Sequence, residues 1–339
     1  MLLGLVVHAG SLSAMSLVTR ETAQDTFAIG MSIFAHNFRM PAFFLVSGLL
    51  ASLLLQRRGA TSFWLQRRRR LLYPLIAGTI TIVPLTYLVE GISVTDPSDL
   101  FVSGFAHLWF IEYLLIFSCI LVLTNWVSSK FNFKLNRKGA PLGVFLVNPI
   151  SVAALITITY FIPQWFDGEA GALSPSSSLL PPAGLFLFYF VFFAFGSIVQ
   201  CCFESTLKWL KRFAFGYLAL GFASFFVYAQ SIFNSQFKEL EYLSYTISTW
   251  MLTLGIIGMC LHFASKENRV VTYLSDASYW IYLIHFPIMV LLIQWFATLE
   301  LTVGWSFVIS IPLVFAISVL LYELLVRDKF IGKLLAGRL

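Results

Sequence analysis

Apolar runs of 17 to 25 residues recur along this chain, separated by short polar stretches. They lie at roughly 1–17, 31–55, 71–89, 104–127, 144–166, 181–202, 211–230, 243–264, 274–297 and 303–326. About 20 apolar residues in a helix cross the hydrocarbon core of a bilayer. Each run is therefore predicted to be a membrane-spanning helix, ten in all. Strands are excluded by the same pattern: barrel strands alternate over about 10 residues, and these runs are longer and apolar on every face. Lipid also offers no partner to backbone N–H and C=O groups, so a span must satisfy its own.

Composition agrees with this reading. Hydrophobic residues make up 59% of the 339 and charged residues only 11%, against roughly 25% in a soluble domain; mean hydropathy is +0.85. The few charges are sorted by side. With the loop after span two placed in the cytoplasm, alternate loops and the C-terminal tail hold 19 of the 22 basic residues. Only Arg20, Arg39 and Lys238 fall on the other side. Such asymmetry orients a membrane protein, and it predicts that both termini are cytoplasmic. Acidic residues such as Asp96, Asp99, Asp167, Glu169, Glu239 and Glu300 lean outward. The net charge of +6 thus follows from topology and anionic inner-leaflet lipid and calls for no nucleic-acid partner. Cys119, Cys201, Cys202 and Cys260 lie in or at the ends of spans, so no disulfide is expected. The Gly/Ser/Pro-rich loop 167–180 is the longest outer one, and no extramembrane domain is predicted.

Against this background polar side chains within spans mark a site, because burying them in lipid is costly. At about 1.5 Å rise per residue, His8 lies roughly 15 Å from the outer end of span one, near the midplane, and His285 reaches a similar depth in span nine. Glu112 sits roughly 12 Å into span four from outside. His36, Arg39 and His107 fall at the outer mouth, and Arg67, Arg68, Arg69 and Arg70 at the inner mouth. Together they outline a polar track across the bilayer. His8 and Glu112 are its candidate catalytic groups; the four arginines, His36, Arg39, His107 and His285 are its candidate substrate contacts. Each has a plainer reading as a helix–helix hydrogen-bond partner or a topology anchor. Glu112, for example, is equally a packing residue or a partner of His107, and Glu323 is read as structural. Trp64, Tyr73, Trp126, Trp165, Trp295 and Trp305 form an interfacial belt. Five histidines without a cluster at ligand spacing make a metal site unexpected. No phosphate-binding loop, nucleophile elbow or zinc-protease motif is present.

Six strings, in order over nearly the whole chain, resemble the integral-membrane acyltransferase 3 family, and in it the branch of glucan biosynthesis protein C-type succinyltransferases. They are Leu2–Ala9, His36–Gly48, Arg67–Pro74, His107–Phe110, Ser278–Pro287 and Tyr322–Arg327. The resemblance implies a single ten-helix transmembrane domain over residues 1–339. It also implies transfer of an acyl group, succinyl in that branch, from cytoplasmic acyl-CoA to a hydroxyl of an exported or periplasmic glycan in the bacterial inner membrane. His8 takes the place of the family's proposed general base, and basic residues within Arg67–Arg70 are associated with the acyl donor. Acyl-CoA is then a co-substrate, with no permanently bound cofactor. The glycan and membrane lipid are the other partners, and a homo-oligomer is left open. The family's basic residue about ten positions before its histidine would precede Met1. A first helix clipped at its N-terminal end is therefore expected, in preference to a signal peptide ending near Leu12–Ala14.

The chemistry is sound without the family. A sugar hydroxyl needs a base, a buried imidazole stays neutral as a base must, and arginine forks suit phosphates. The main rival is a carrier or channel for a small anion such as a carboxylate, which the same track would serve; a non-catalytic envelope subunit is a third reading. Absence of a visible internal repeat weighs against a carrier.

Overall fold

A computed structural model describes residues 2–17, 23–91, 105–131, 148–166, 181–263, 268–329 and 332. Arg20, Asp96, Asp99, the basic positions Lys134, Arg137 and Lys138, loop 167–180, Lys266, Lys333 and Arg338 lie outside the described residues.

Among the described residues the regular structure is entirely helical. The α-helices are α1 (Leu3–Leu17), α2 (Ala23–Arg67), α3 (Tyr73–Glu90), α4 (Trp109–Lys130), α5 (Pro149–Phe166), α6 (Ala183–Val199), α7 (Phe203–Phe233), α8 (Glu241–Phe263), α9 (Arg269–Thr298) and α10 (Val303–Leu321). Six helical stretches are long and apolar enough to cross a membrane: Thr26–Glu90, Ala106–Lys130, Ala183–Ile232, Gln236–Phe263, Arg269–Thr298 and Val303–Val326. Leu3–Ser13 and Ile150–Phe166 are shorter apolar helices.

The difference from the ten expected spans lies in the connections. Spans two and three were expected on either side of a basic loop. Instead α2 stays helical to Arg67, broken only at Gly59, whose φ of 75° suits glycine. A π turn, Arg68–Leu72, then leads directly into α3. Likewise a 3₁₀ turn at Gln200–Cys202 joins α6 to α7. Ala60, Leu65, Gln66 and the arginines of this segment are good helix formers, and burying Phe63 gives it an inward face.

The helices pack with small residues at their crossings. A Cβ on Gly48 would strike the Phe193 carbonyl, and one on Gly196 the Leu45 carbonyl, so α2 and α6 run antiparallel in backbone contact. In a bilayer this is how helices attract, since lipid is as apolar as their side chains. Many hydroxyls bond a carbonyl of their own helix, as in Ser118 to the Leu114 carbonyl (2.7 Å) and Thr86 to the Ile82 carbonyl (2.8 Å). Others tie helices together: Asn37 donates to Ser248 at 3.0 Å, and Trp250 Nε1 to Thr159 at 2.9 Å. The outer surface is apolar. Trp126, Trp165, Trp295 and Trp305 are each more than half exposed, which fits a lipid-facing surface and not a water-facing one. The four cysteines are free thiols.

Two apolar cores result. One gathers residues of α2, α4, α6 and α8, including Phe44, Phe117, Phe192 and Trp250. The smaller joins α1, α9 and α10 through Leu5, Ala9, Ile281, Met289 and Phe307. The candidate site lies on the seam between them.

Candidate active site

Two adjoining cavities occupy this seam. The larger, about 760 Å³, is lined on its polar side by Arg67, Arg70, Ser275, Asp276, Tyr279, Arg327, Asp328 and Lys329. The smaller, about 30 Å³, has room for a water or two and is lined by Gly4, His8, Arg39, Met40, Phe43, His107, Trp109, Phe110, Tyr282 and His285. Phe43 and Phe110 line both. Their rings meet edge to face with centroids 4.4 Å apart and form the partition.

At the larger cavity the π turn separates the four arginines. Arg67 and Arg70, three apart and so on one helical face, line the cavity, whereas Arg68 and Arg69 do not. Arg67 packs over the Phe63 ring and Arg68 over Tyr73. Pro74 has no N–H, so the Arg70 carbonyl four residues earlier loses its α-helical donor. The Tyr279 hydroxyl of α9 supplies one at 2.8 Å. The Arg-to-Pro spacing seen in the sequence is thus a joint between the basic turn and α9.

A second proline makes a matching joint at the smaller cavity. Pro287 releases the Leu283 carbonyl in the same way, and His107 Nε2 bonds it at 3.0 Å. The Tyr282 hydroxyl in turn donates to the His107 carbonyl at 2.6 Å. Ala106, with φ at 45°, bends the chain into the 3₁₀ turn Ala106–Leu108 that delivers His107 to α9. Since carbonyls only accept, His107 carries its proton on Nε2 and leaves Nδ1 as a lone pair. His285 Nδ1 faces the carbonyls of Tyr282 (2.7 Å) and Ile281 (3.1 Å), so its lone pair is on Nε2. Both lone-pair nitrogens are buried and without a hydrogen-bond partner among the described residues.

His8 completes the group. Its ring centroid is 5.2 Å from that of His285 and 5.0 Å from that of Phe286, and His107 lies 5.8 Å from His285. No hydrogen bond to a described residue restrains the His8 nitrogens. Gly4, one turn earlier, leaves room for its neighbours: a Cβ there would sit 3.1 Å from Arg39 Nη1 and 3.5 Å from His285 Nε2. Arg39 is the one permanently charged group lining this pocket, which has no carboxylate among its lining residues. Neutral rings around one cation can take up a hydroxyl, accept its proton and face a developing negative charge.

The structure thus regroups the sequence-derived candidates. Arg39 and His107, expected at an outer mouth, stand beside His8 and His285 in one pocket, because the 3₁₀ turn and α2 carry them inward. His36 lies one turn before Arg39 on α2 and lines neither cavity. Glu112 is buried on α4, lines neither cavity, and makes no hydrogen bond or ion pair among the described residues; it is not the partner of His107, whose ring bonds Leu283 instead. Sequence reasoning missed Tyr279, Tyr282, Phe43, Phe110 and the contributions of Asp276, Arg327 and Lys329. The signals were present: Tyr279, Tyr282 and His285 recur every third position on one face, and Pro74 and Pro287 each follow a functional carbonyl by four. Among the described residues no three of His, Cys, Asp or Glu are placed to hold a metal ion.

A multi-helix membrane protein whose cationic cavity opens, behind an aromatic partition, onto a histidine pocket is the class that the fold and site define. The family model of the acyltransferase domain matches residues 1–323. The chain therefore belongs to the acyltransferase 3 family and is a multi-pass membrane acyltransferase. It is 24% identical over 374 residues to the glucans biosynthesis protein C of an Escherichia coli strain, covering 100% of this chain and 92% of that protein. The protein of that name from Shigella dysenteriae serotype 1 is 23% identical over 380 residues, with the same coverage. No solved structure matches.

Proposed function

We propose that this acyltransferase moves an acyl group, succinyl being the first to test, from cytoplasmic acyl-CoA to a hydroxyl of an exported glycan in a bacterial inner membrane. The observation that carries this reading is the shared Phe43/Phe110 partition between a cavity lined by arginines and one lined by histidines. A phosphate-rich carrier fits the first and a hydroxyl with its base fits the second, so the thioester would lie at the partition. The relatives' name concerns glucan biosynthesis, which supports a glycan acceptor.

In this mechanism a nitrogen of His8 takes the hydroxyl proton as the oxygen attacks the thioester carbonyl carbon. Arg39 faces the tetrahedral oxyanion. Collapse breaks the C–S bond, the thiolate recovers the proton from the imidazolium, and an ester and free CoA leave. His285 and His107 offer hydrogen-bond acceptors to the acceptor sugar. Ten spans with both termini cytoplasmic put the arginine cavity inside, as the 19-to-3 distribution of basic residues supports.

Purified protein incubated with labelled succinyl-CoA and a glucan should transfer label to the glycan. Anion flux without acyl transfer would replace this reading with the carrier. A reporter fused after Lys138 should read cytoplasmic and one within Gly168–Ser178 external; both on one side would end the ten-span topology.

A further inference from the structure

The arginine run supplies only part of the charge around the large cavity. The rest comes from the end of α10, more than 250 positions later in the sequence. There Tyr322–Val326 forms a π turn, closed by the Arg327 N–H donating to the Tyr322 carbonyl at 2.8 Å. Arg327 Nη1 then reaches both carboxylate oxygens of Glu323, at 2.9 and 3.0 Å. Glu323 also accepts the Tyr273 hydroxyl at 2.5 Å, and the Arg327 guanidinium lies 5.6 Å over the Tyr273 ring. Arg327 is thus held jointly by α9 and α10, while its Nη2 makes no hydrogen bond to a described residue. Next, Asp328 adopts φ of 59°, the left-handed turn conformation that Asp tolerates better than most residues with a Cβ. That bend carries Lys329 to the cavity lining, where it has no ion-pair partner among the described residues.

A topology anchor needs charge on the correct side and nothing more. It needs neither an arginine held from two helices nor a left-handed turn that brings the next lysine to a cavity wall. We propose that Arg327 and Lys329 form a polyphosphate clamp with Arg67 and Arg70, so that the segment after α10 is part of the donor site. This inference rests on the acyl-CoA reading above and deepens it. CoA carries a diphosphate and a separate phosphomonoester, and cations from two distant segments can hold the two groups apart. An anionic lipid headgroup offers the same phosphate chemistry, and the test separates the two sources.

The full-length protein is placed in nanodiscs of zwitterionic lipid and, in parallel, in nanodiscs containing anionic lipid, and both are titrated with CoA and with 3′-dephospho-CoA. Loss of one charge-assisted contact should weaken CoA binding by about five- to tenfold in Lys329→Gln and in Arg327→Gln. With dephospho-CoA the penalty of at least one of them should shrink toward none. Arg58→Gln, an exposed cation on the same side that lines neither cavity, should bind as wild type. Lys329 is exposed, so its variant tests the clamp even where Arg327→Gln disturbs folding. Wild-type CoA affinity in both variants overturns the clamp. So does a response confined to nanodiscs containing anionic lipid, which would assign these cations to lipid. A wild-type protein that binds no CoA overturns the donor reading itself, and the clamp with it.

Discussion

The large cavity gathers four cations, Arg67 stacked on Phe63, Arg327 held by Glu323 over the Tyr273 ring, and Arg70 and Lys329 exposed at the mouth. In the small pocket His8, His107 and His285 meet around Arg39 with no carboxylate among the lining residues, and among the described residues the hydrogen bonds of the His107 and His285 rings run to main-chain carbonyls. The contrast follows from solvation. A wet mouth can hold several cations at little cost, whereas in the interior each further charge is expensive, so that beside the single Arg39 a neutral ring that can take a proton is the affordable polar group. Each cavity takes one carbonyl freed by a proline, Arg70 before Pro74 and Leu283 before Pro287. Helix α9 supplies the tyrosine at both joints, and so holds the two cavities at a constant offset.

The contrast is broken most severely at His8. If the small pocket does the chemistry, His8→Ala should lose about 10²–10⁴-fold in turnover, the usual range for a general base, with CoA affinity unchanged. His8→Gln should be as slow, since an amide keeps a hydrogen bond but takes no proton; wild-type turnover in that variant would move the base to His285 or His107. The donor side should give the opposite pattern. Replacing Arg67 and Arg70 together by Gln should raise the donor KM by roughly 10- to 100-fold, whereas the Arg68/Arg69 pair should change it little. Equal effects from both pairs, with normal insertion, would reduce the run to an anchor.

The partition is tested by Phe43→Ala and Phe110→Leu. Opening it should shift the kcat/KM ratio toward bulkier acyl groups by about tenfold, the scale of a few methylenes in a pocket; a parallel loss for all donors would mean it only packs. The tyrosine joints should give the smallest effects, each roughly three- to tenfold for one hydrogen bond. Tyr279→Phe should raise the donor KM, and Tyr282→Phe should lower kcat. Exchanged signatures would show that α9 does not divide its contacts between the cavities.

Much of this molecule is legible in the order of its residues. Long apolar runs locate the helices, since lipid permits little else, but not their ends: the second run continues as helix to Arg67. The charge bias predicts their orientation, and the motif strings around His8, Arg67–Arg70 and His285 carry the family. Those properties are local: they depend on each residue's neighbours along the chain and on which side of the membrane a loop falls. Only the tertiary structure decided that the face carrying Arg67 and Arg70, and not Arg68 and Arg69, meets the cavity. It alone brought Arg39 and His107 to His8, set Glu112 apart, and joined Arg327 to an arginine run from the other end of the chain. These are contacts between helices, settled by where glycines let backbones touch and where prolines leave a carbonyl free to be bonded by another helix.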